Sequence, residues 1–300
     1  MAEFILRCTM IAAGSLLLLQ TLRFRKLIAG WTVATSVSWL AVAAGSTAVS
    51  AASSLPLLGL GPGWSGTIQY LAAILLLTPA ICTLGARRPG AGPWQWFVVL
   101  PMILVLLWPV LTQAIDTGGR TPVELSNPQL CGFVLAAVMG FGPALGTPAA
   151  GPTLLRIAAV IVALLPVRTS AAWAENLATV VPLLLLCELA LLRSRVCATL
   201  DRLHQAVSLH DRTREIWLLF LTLYGSVWPR RVLDRISQFE RGERWTVTLR
   251  EDGFHAHSGA VPRDEELQKP LEAFRWLLSR FVTSDWMNEQ FGRSAEADQA

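Results

Sequence analysis

The stretch of residues 27–86 contains no charged residue, and this limits what the chain can fold into more than any other feature. A helix needs about 20 mostly apolar residues to cross the hydrocarbon core of a bilayer, so a longer uncharged stretch must turn back. The Pro/Gly-rich segment 55–63 supplies a turn near its centre. The stretch therefore predicts two membrane-spanning helices, at about 27–52 and 64–84.

Composition and charge distribution also indicate a membrane protein. Hydrophobic residues make up 53% of the chain and charged residues 15%, whereas about a quarter of the residues of a soluble protein are charged. Residues 1–192 contain nine Lys or Arg and five Asp or Glu, and residues 193–300 contain sixteen of each. We therefore predict a mainly α protein with a helical transmembrane domain, 1–192, and a small cytoplasmic α+β tail, 193–300.

Five more apolar segments resemble membrane-spanning helices, which brings the predicted number of spans to about seven. They lie at about 4–22, 94–115, from residue 130 onward, 154–167 and 173–192. The span at 154–167 is the shortest. The Gly/Pro-rich segment 140–152 is interpreted as a loop, and the alternative is a broken helix that frames a ligand site, as in transporters.

The distribution of basic residues predicts the orientation, because Lys and Arg accumulate in cytoplasmic loops. The loops on one predicted side carry only Arg120 and Arg168. The other side carries the Arg-rich tail and a larger set of basic residues, Arg23, Arg25, Lys26, Arg87, Arg88 and Arg156. We therefore predict that the N-terminus lies outside and the tail lies in the cytoplasm. The abundance of Arg, Ala, Gly and Pro indicates a bacterial inner membrane.

The net charge of +4 and the five cysteines exclude some function classes. The tail is neutral by count, so the excess of positive charge belongs to the membrane domain and predicts the lipid bilayer, not nucleic acid, as a partner. The cysteines are widely spaced and form neither a disulfide framework nor a CxxC metal site. No cofactor is predicted.

The tail is divided by pattern into three segments. Residues 193–229 predict membrane-proximal helices, in which the apolar run 216–228 forms a buried or membrane-surface helix that Pro229 ends. Residues 230–292 predict a small module with one β-hairpin, because apolar and polar residues alternate over 245–250 before a Glu-Asp-Gly turn. A helix that begins at Pro270 is expected to cover the hairpin. The polar end, 293–300, is expected to be disordered.

Two ionisable residues inside predicted spans are the main candidates for a functional site. Arg156 and Glu188 are expected at similar depths, where they could pair. Charged groups in a membrane are costly and often mark ion or substrate paths. A structural ion pair is the alternative to a role in proton or cation coupling.

His255 and His257 follow the hairpin turn and lie two residues apart, so on a strand they would point to the same side. Two metal ligands would need this spacing, although a metal site requires three or four ligands. An exposed face of the hairpin is the alternative interpretation.

No phosphate-binding loop, dinucleotide-binding motif, zinc-protease motif or nucleophile elbow occurs in the sequence. The leading hypothesis is therefore a non-enzymatic membrane component whose cytoplasmic tail binds a protein partner. A membrane-embedded enzyme that acts on lipid or acyl substrates, with His204 and His210 near the headgroups, is the first alternative. A small transporter that uses Arg156 and Glu188 is the second.

Overall fold

The computed structural model describes residues 2–53, 59–88, 90–169 and 172–297. Helices account for most of them, and the only sheet among these residues is a two-stranded antiparallel hairpin. This confirms the predicted mainly α class with one β-hairpin.

The first two thirds of the chain form long apolar helices. In chain order they are α1 (Ala2–Leu27), α2 (Ala34–Ser53), α3 (Pro62–Leu84), α4 (Ala91–Asp116), α5 (Asn127–Phe141), α6 (Ala150–Thr169), the short α7 (Ala172–Ala178) and α8 (Val181–Gln205). By length and composition, four helical segments within the described residues could cross a membrane: Pro62–Leu84, Ala91–Asp116, Ala150–Thr169 and Trp173–Gln205.

This number is smaller than the seven spans that the sequence predicts. The other three predicted spans are also helices, but each is less suited to hydrocarbon. The last turn of α1 contains Arg25 and Lys26, and α2 is rich in Ser and Thr. Helix α5 has 15 residues, which at 1.5 Å per residue cover only about 22 Å of the roughly 30 Å core.

Close packing of α1 on α2 explains the small residues along α2. A Cβ atom added to Gly14 would lie 3.0 Å from the Cβ atom of Ala48, so the two helices approach too closely for a larger side chain. Ala44, one turn earlier on α2, is fully buried. Small residues four apart allow such approach in membrane helices.

The loops of the helical domain form two groups, one at each end. At one end, the amide of Gly63 donates a hydrogen bond to the carbonyl of Gly119 at 3.0 Å. There the guanidinium of Arg168 also donates to the carbonyl of Leu125 at 3.2 Å. The loops after α1, α3 and α5 contact the tail at the other end.

The tail continues with four helices and the hairpin. They are α9 (Leu209–Tyr224), α10 (Val227–Glu243), β1 (Val247–Arg250), β2 (Gly253–Ala256), α11 (Asp264–Leu278) and α12 (Ser284–Ala297). Val247 pairs with Ala256 and Leu249 with Phe254 across the hairpin. These residues are buried, and the Phe254 ring lies 5.8 Å from the Phe274 ring of α11. The hairpin therefore packs on a helix, as its small size requires.

Two predicted helix boundaries in the tail are wrong, and proline explains both. The helix that contains the apolar residues from 216 onward ends before Gly225 and not at Pro229. Pro229 lies in the first turn of α10, where its missing N–H would have no intrahelical acceptor. Helix α11 begins at Asp264, and Pro270 lies in its interior. The start is fixed by the Glu266 side chain, which accepts a hydrogen bond from the amide of Arg263 at 2.9 Å.

The tail is attached to the loop after α1 by backbone hydrogen bonds. The amide of Thr32 donates to the carbonyl of Phe281 at 2.8 Å, and the amide of Thr283 donates to the carbonyl of Gly30 at 2.8 Å. The Trp31 ring packs at 4.8 Å against the Trp286 ring of α12.

Two further contacts fix the tail to the other loops of this end. The indole of Trp228 donates to the carbonyl of Leu84 at 3.1 Å. Both the amide and the hydroxyl of Ser226 donate to the carbonyl of Pro143 at 2.8 Å. The apolar run 216–228 is thus buried where the rest of the tail meets the helical domain. Helix α12 includes residues 293–297 of the predicted disordered end, and residues 298–300 lie outside the described residues.

Candidate functional site

The structure brings Arg156 of α6 and Glu188 of α8 together as an ion pair. The Glu188 side chain is buried and that of Arg156 is nearly so, with exposed fractions of 4% and 12%. Within the described part of the chain, Glu188 Oε2 and Arg156 Nε have no hydrogen-bond partner. Each residue therefore retains one polar atom that the protein itself does not satisfy, which is unusual for buried groups.

The pair lines a cavity of about 110 Å³ at the tail end of the helical domain, which we call the inner cavity. Its walls come from α1, α2, α3, α5, α6, α8 and α9, and they are mostly apolar. Besides the ion pair, the polar lining residues are Ser36, Thr83, Thr153, Thr222 and Tyr224. An apolar chamber with a few converging polar groups is typical of a small-molecule site. Here the Arg156–Glu188 pair supplies the charged groups of the lining.

Tyr224 forms part of the wall between the inner cavity and the tail. Its hydroxyl lies 2.8 Å from the Thr32 hydroxyl, accepts from the amide of Val33 at 3.2 Å and donates to the carbonyl of Phe281 at 3.2 Å. Burial raises the pKa of Tyr224 above its ordinary value. The residue therefore remains a neutral link between the helical domain and the tail.

A second cavity of about 70 Å³ lies toward the opposite end, and we call it the outer cavity. Arg7 and Glu175, whose charged atoms are 3.6 Å apart, are among its lining residues. Helices α1, α2, α3, α6 and α8 line both cavities. Between the two sets of lining residues these helices contribute fully buried residues, among them Ala43, Ala44, Ala73, Ala159 and Leu185. The sequence analysis missed the outer cavity because its polar residues are dispersed over four helices and the loop that follows α7.

The structure does not bring His255 and His257 together at a site. Nε2 of His255 lies 2.7 Å from Oδ1 of Asp252, whereas Nε2 of His257 lies 2.9 Å from Oε1 of Glu240. The hydrogen bond with His255 lowers the pKa of Asp252. No group of three or more His, Cys, Asp or Glu that could hold a metal ion occurs among the described residues.

The histidines of the enzyme hypothesis lie apart from the inner cavity. His204 is exposed, and Nε2 of His210 lies 3.0 Å from the carbonyl of Phe254, which ties α9 to the hairpin. The residues that line the inner cavity include neither histidine nor cysteine.

Comparison of the chain with protein-family models, with curated proteins and with solved structures found no match.

Proposed function

We propose that this chain is a seven-span integral protein of the bacterial cytoplasmic membrane, with its N-terminus outside and its tail in the cytoplasm. The grouping of the loops supports this proposal. Arg25 and Lys26 lie in the last turn of α1, and Arg87 and Arg88 lie in the loop after α3. The loops after α1, α3 and α5 all contact the tail. If the seven long helices all cross, these loops and the tail share one side, which is the side where basic residues accumulate.

Cysteine labelling in cells tests this orientation. In a variant with the five native cysteines replaced by serine, Thr121→Cys lies in the loop opposite the tail and Ser258→Cys follows the hairpin, and both positions are exposed. A membrane-impermeant maleimide is expected to label Thr121→Cys in intact cells and Ser258→Cys only after permeabilisation. Labelling of both positions in intact cells, or the reverse pattern, would contradict the proposal.

We further propose that the protein is not an enzyme and that it transports a small molecule between the inner and the outer cavity. The observation that carries this function is the lining of both cavities by the same five helices, with small buried residues between them. A movement of these helices could open either cavity in turn, which is the alternating access of transporters. Arg156 and Glu188, which line the inner cavity, would bind the polar part of the substrate.

This proposal gives the tail a different role from that of the leading sequence hypothesis. Its residues Tyr224 and Trp228 each pack on the Phe281 ring and form hydrogen bonds with the helical domain. We propose that the tail acts as a cytoplasmic cap of the inner cavity, and that any protein partner binds the outer surface of this cap.

Access to a buried residue tests transport without knowledge of the substrate. Ala159 of α6 is fully buried between the two cavities. With native cysteines replaced by serine, Ala159→Cys is expected to react slowly with a small charged methanethiosulfonate from both sides of the membrane. The control is Val110→Cys, because Val110 of α4 is equally buried and lines neither cavity. Equal protection of both positions from both sides would contradict the proposal.

A further inference from the structure

Four arginines from separate parts of the chain line one groove, which we call the arginine groove. Arg87 follows α3, Arg231 and Arg235 lie on α10, and Arg280 follows α11. The groove has a volume of about 280 Å³, and its other lining residues are Trp228, Val232, Trp276, Leu277 and Phe281. It is therefore formed only when the tail packs on the helical domain.

The groove is strongly positive and contains no counter-charge. No carboxylate lines it, and none of its four arginines forms an ion pair with another described residue. Arg7, Arg156, Arg202 and Arg230 each have a carboxylate within 4.0 Å. The four like charges raise the local potential, which favours the binding of an anion.

Two tryptophan rings hold three of the arginines in place. The guanidinium carbons of Arg87 and Arg231 lie 5.2 and 4.8 Å from the centre of the Trp228 ring. The guanidinium of Arg280 lies 4.9 Å from the centre of the Trp276 ring. The Trp228 ring is in turn fixed, because its indole donates to the carbonyls of Thr83 and Leu84. Cation–π contacts of this kind reduce the ordering that a ligand would otherwise have to impose.

The position of the groove relative to the membrane indicates which class of anion it would bind. Leu84 is the last residue of α3, which is long and apolar enough to cross a membrane, and Arg87 follows it by three residues. The groove therefore lies where the span meets the headgroups, on the side of the tail. Trp276 in the groove is half exposed, and tryptophan is enriched at this level of membrane proteins.

We propose that the arginine groove binds the phosphate of an anionic phospholipid in the leaflet that faces the tail. Guanidinium groups pair with phosphate oxygens in a two-pronged geometry, and basic pockets beside cytoplasmic helix ends suit such headgroups. The apolar lining formed by Val232 and Leu277 would contact the glycerol and the first acyl carbons. Lipid at this position would join the tail to the membrane and to α3 at once.

Titration of lipids into the full-length protein tests the proposal. In a neutral detergent, short-chain phosphatidylglycerol is expected to bind by calorimetry, whereas phosphatidylcholine with the same chains and inorganic phosphate are not. The double variant Arg231→Gln/Arg280→Gln is expected to bind phosphatidylglycerol roughly 25-fold more weakly, at about fivefold per arginine. The melting temperature of each variant shows that the protein is folded.

The control removes the same charge elsewhere on the tail. Arg230 and Arg241 lie on α10 but do not line the groove, so Arg230→Gln/Arg241→Gln should retain nearly wild-type affinity. An equal loss of affinity in both double variants would show that net charge alone determines binding, and it would overturn the proposal. Binding of inorganic phosphate as tight as that of phosphatidylglycerol would overturn the assignment to a lipid.

Discussion

At the scale of single residues, the Arg156–Glu188 pair is costly for the protein to maintain. Burying both charges carries a desolvation penalty that a pair offsets only when its remaining polar atoms are also satisfied, and here two are not. Replacing both residues with apolar ones of similar size is therefore expected to change stability little. A pair with this energy balance is better explained by a ligand than by stability.

Arg156→Met is expected to lower the free energy of unfolding by about 3–5 kcal/mol, because it leaves the Glu188 carboxylate buried without its partner. Arg156→Met/Glu188→Leu should recover most of that loss. Thermal denaturation of the full-length variants in detergent, read as a double-mutant cycle, measures both values. A double variant as unstable as Arg156→Met would show that the pair stabilises the fold.

The protein is expected to lose stability at alkaline pH because the buried Tyr224 hydroxyl ionises. Its pKa is raised in the folded protein, so its contribution is complete below its unfolded pKa of about 10 and is lost as pH rises above that value. The expected slope is up to about 1.4 kcal/mol per pH unit. Tyr224→Phe should be less stable than wild type at pH 7 by about 1–2 kcal/mol, because hydrogen bonds are lost. Its free energy of unfolding should, however, change less than that of the wild type between pH 10 and 11. Equal slopes for the two proteins in chemical denaturation would contradict this assignment.

At the scale of secondary-structure elements, Gly225 determines how the tail reaches the helical domain. It separates α9 from α10 with φ 68° and ψ −148°, a conformation that is almost restricted to glycine. A Cβ atom there would lie 2.8 Å from the carbonyl oxygen of Pro143, the same oxygen that Ser226 binds. The turn and the docking contact therefore both require a residue without a side chain at position 225.

Gly225→Ala is expected to destabilise the protein by about 2 kcal/mol or more, from backbone strain together with the clash. The matched control is Gly242→Ala, because Gly242 lies inside α10 with no atom within 4 Å of an added Cβ. That substitution should stabilise by roughly 0.5–1 kcal/mol through helix propensity. If the melting temperatures of both variants shifted in the same direction relative to the wild type, the structural interpretation of Gly225 would be contradicted.

Local pattern predicted the elements better than it predicted their ends. The charge-free stretches located the long helices, and alternation located the hairpin, because both patterns reflect burial on a repeating face. The boundaries at Pro229 and Pro270 were wrong because proline is tolerated in a first turn and, with tertiary support, inside a helix. The aromatic pattern of 216–228 could not reveal whether its partner is lipid or protein.

At the scale of the whole molecule, the sites differ in how far sequence could reveal them. Arg156 and Glu188 stand out because charges are rare in apolar segments, and the sequence analysis paired them from their expected depth. The outer cavity and the arginine groove could not be recognised in the same way. Arg87 and Arg280 are ordinary surface residues in sequence, and only the docked tail brings them to one groove.

The docking of the tail is itself open to test. Trp286→Ala removes the ring that covers Gly30 and Trp31. Because this ring is only partly buried, its truncation is expected to cost no more than about 3 kcal/mol, the lower end of the range for a buried aromatic side chain. Limited proteolysis of inside-out vesicles is expected to cleave the tail of this variant at least tenfold faster than that of the wild type. Val261→Ala, which truncates an exposed side chain of the tail outside the arginine groove, is the control. Unchanged protection in Trp286→Ala would argue against the docked arrangement.

The hydrogen bonds between the loop after α1 and residues 281–283 also concern how the protein is made. The loop at Gly30 and Thr32 is synthesised long before its partners Phe281 and Thr283, because six long apolar helices and most of the tail lie between them in sequence. Contacts between residues so distant in sequence form late and slowly. Until residues 281–286 have been made, the helical domain therefore exposes Trp31 and the backbone groups of Gly30 and Thr32 that the tail later covers.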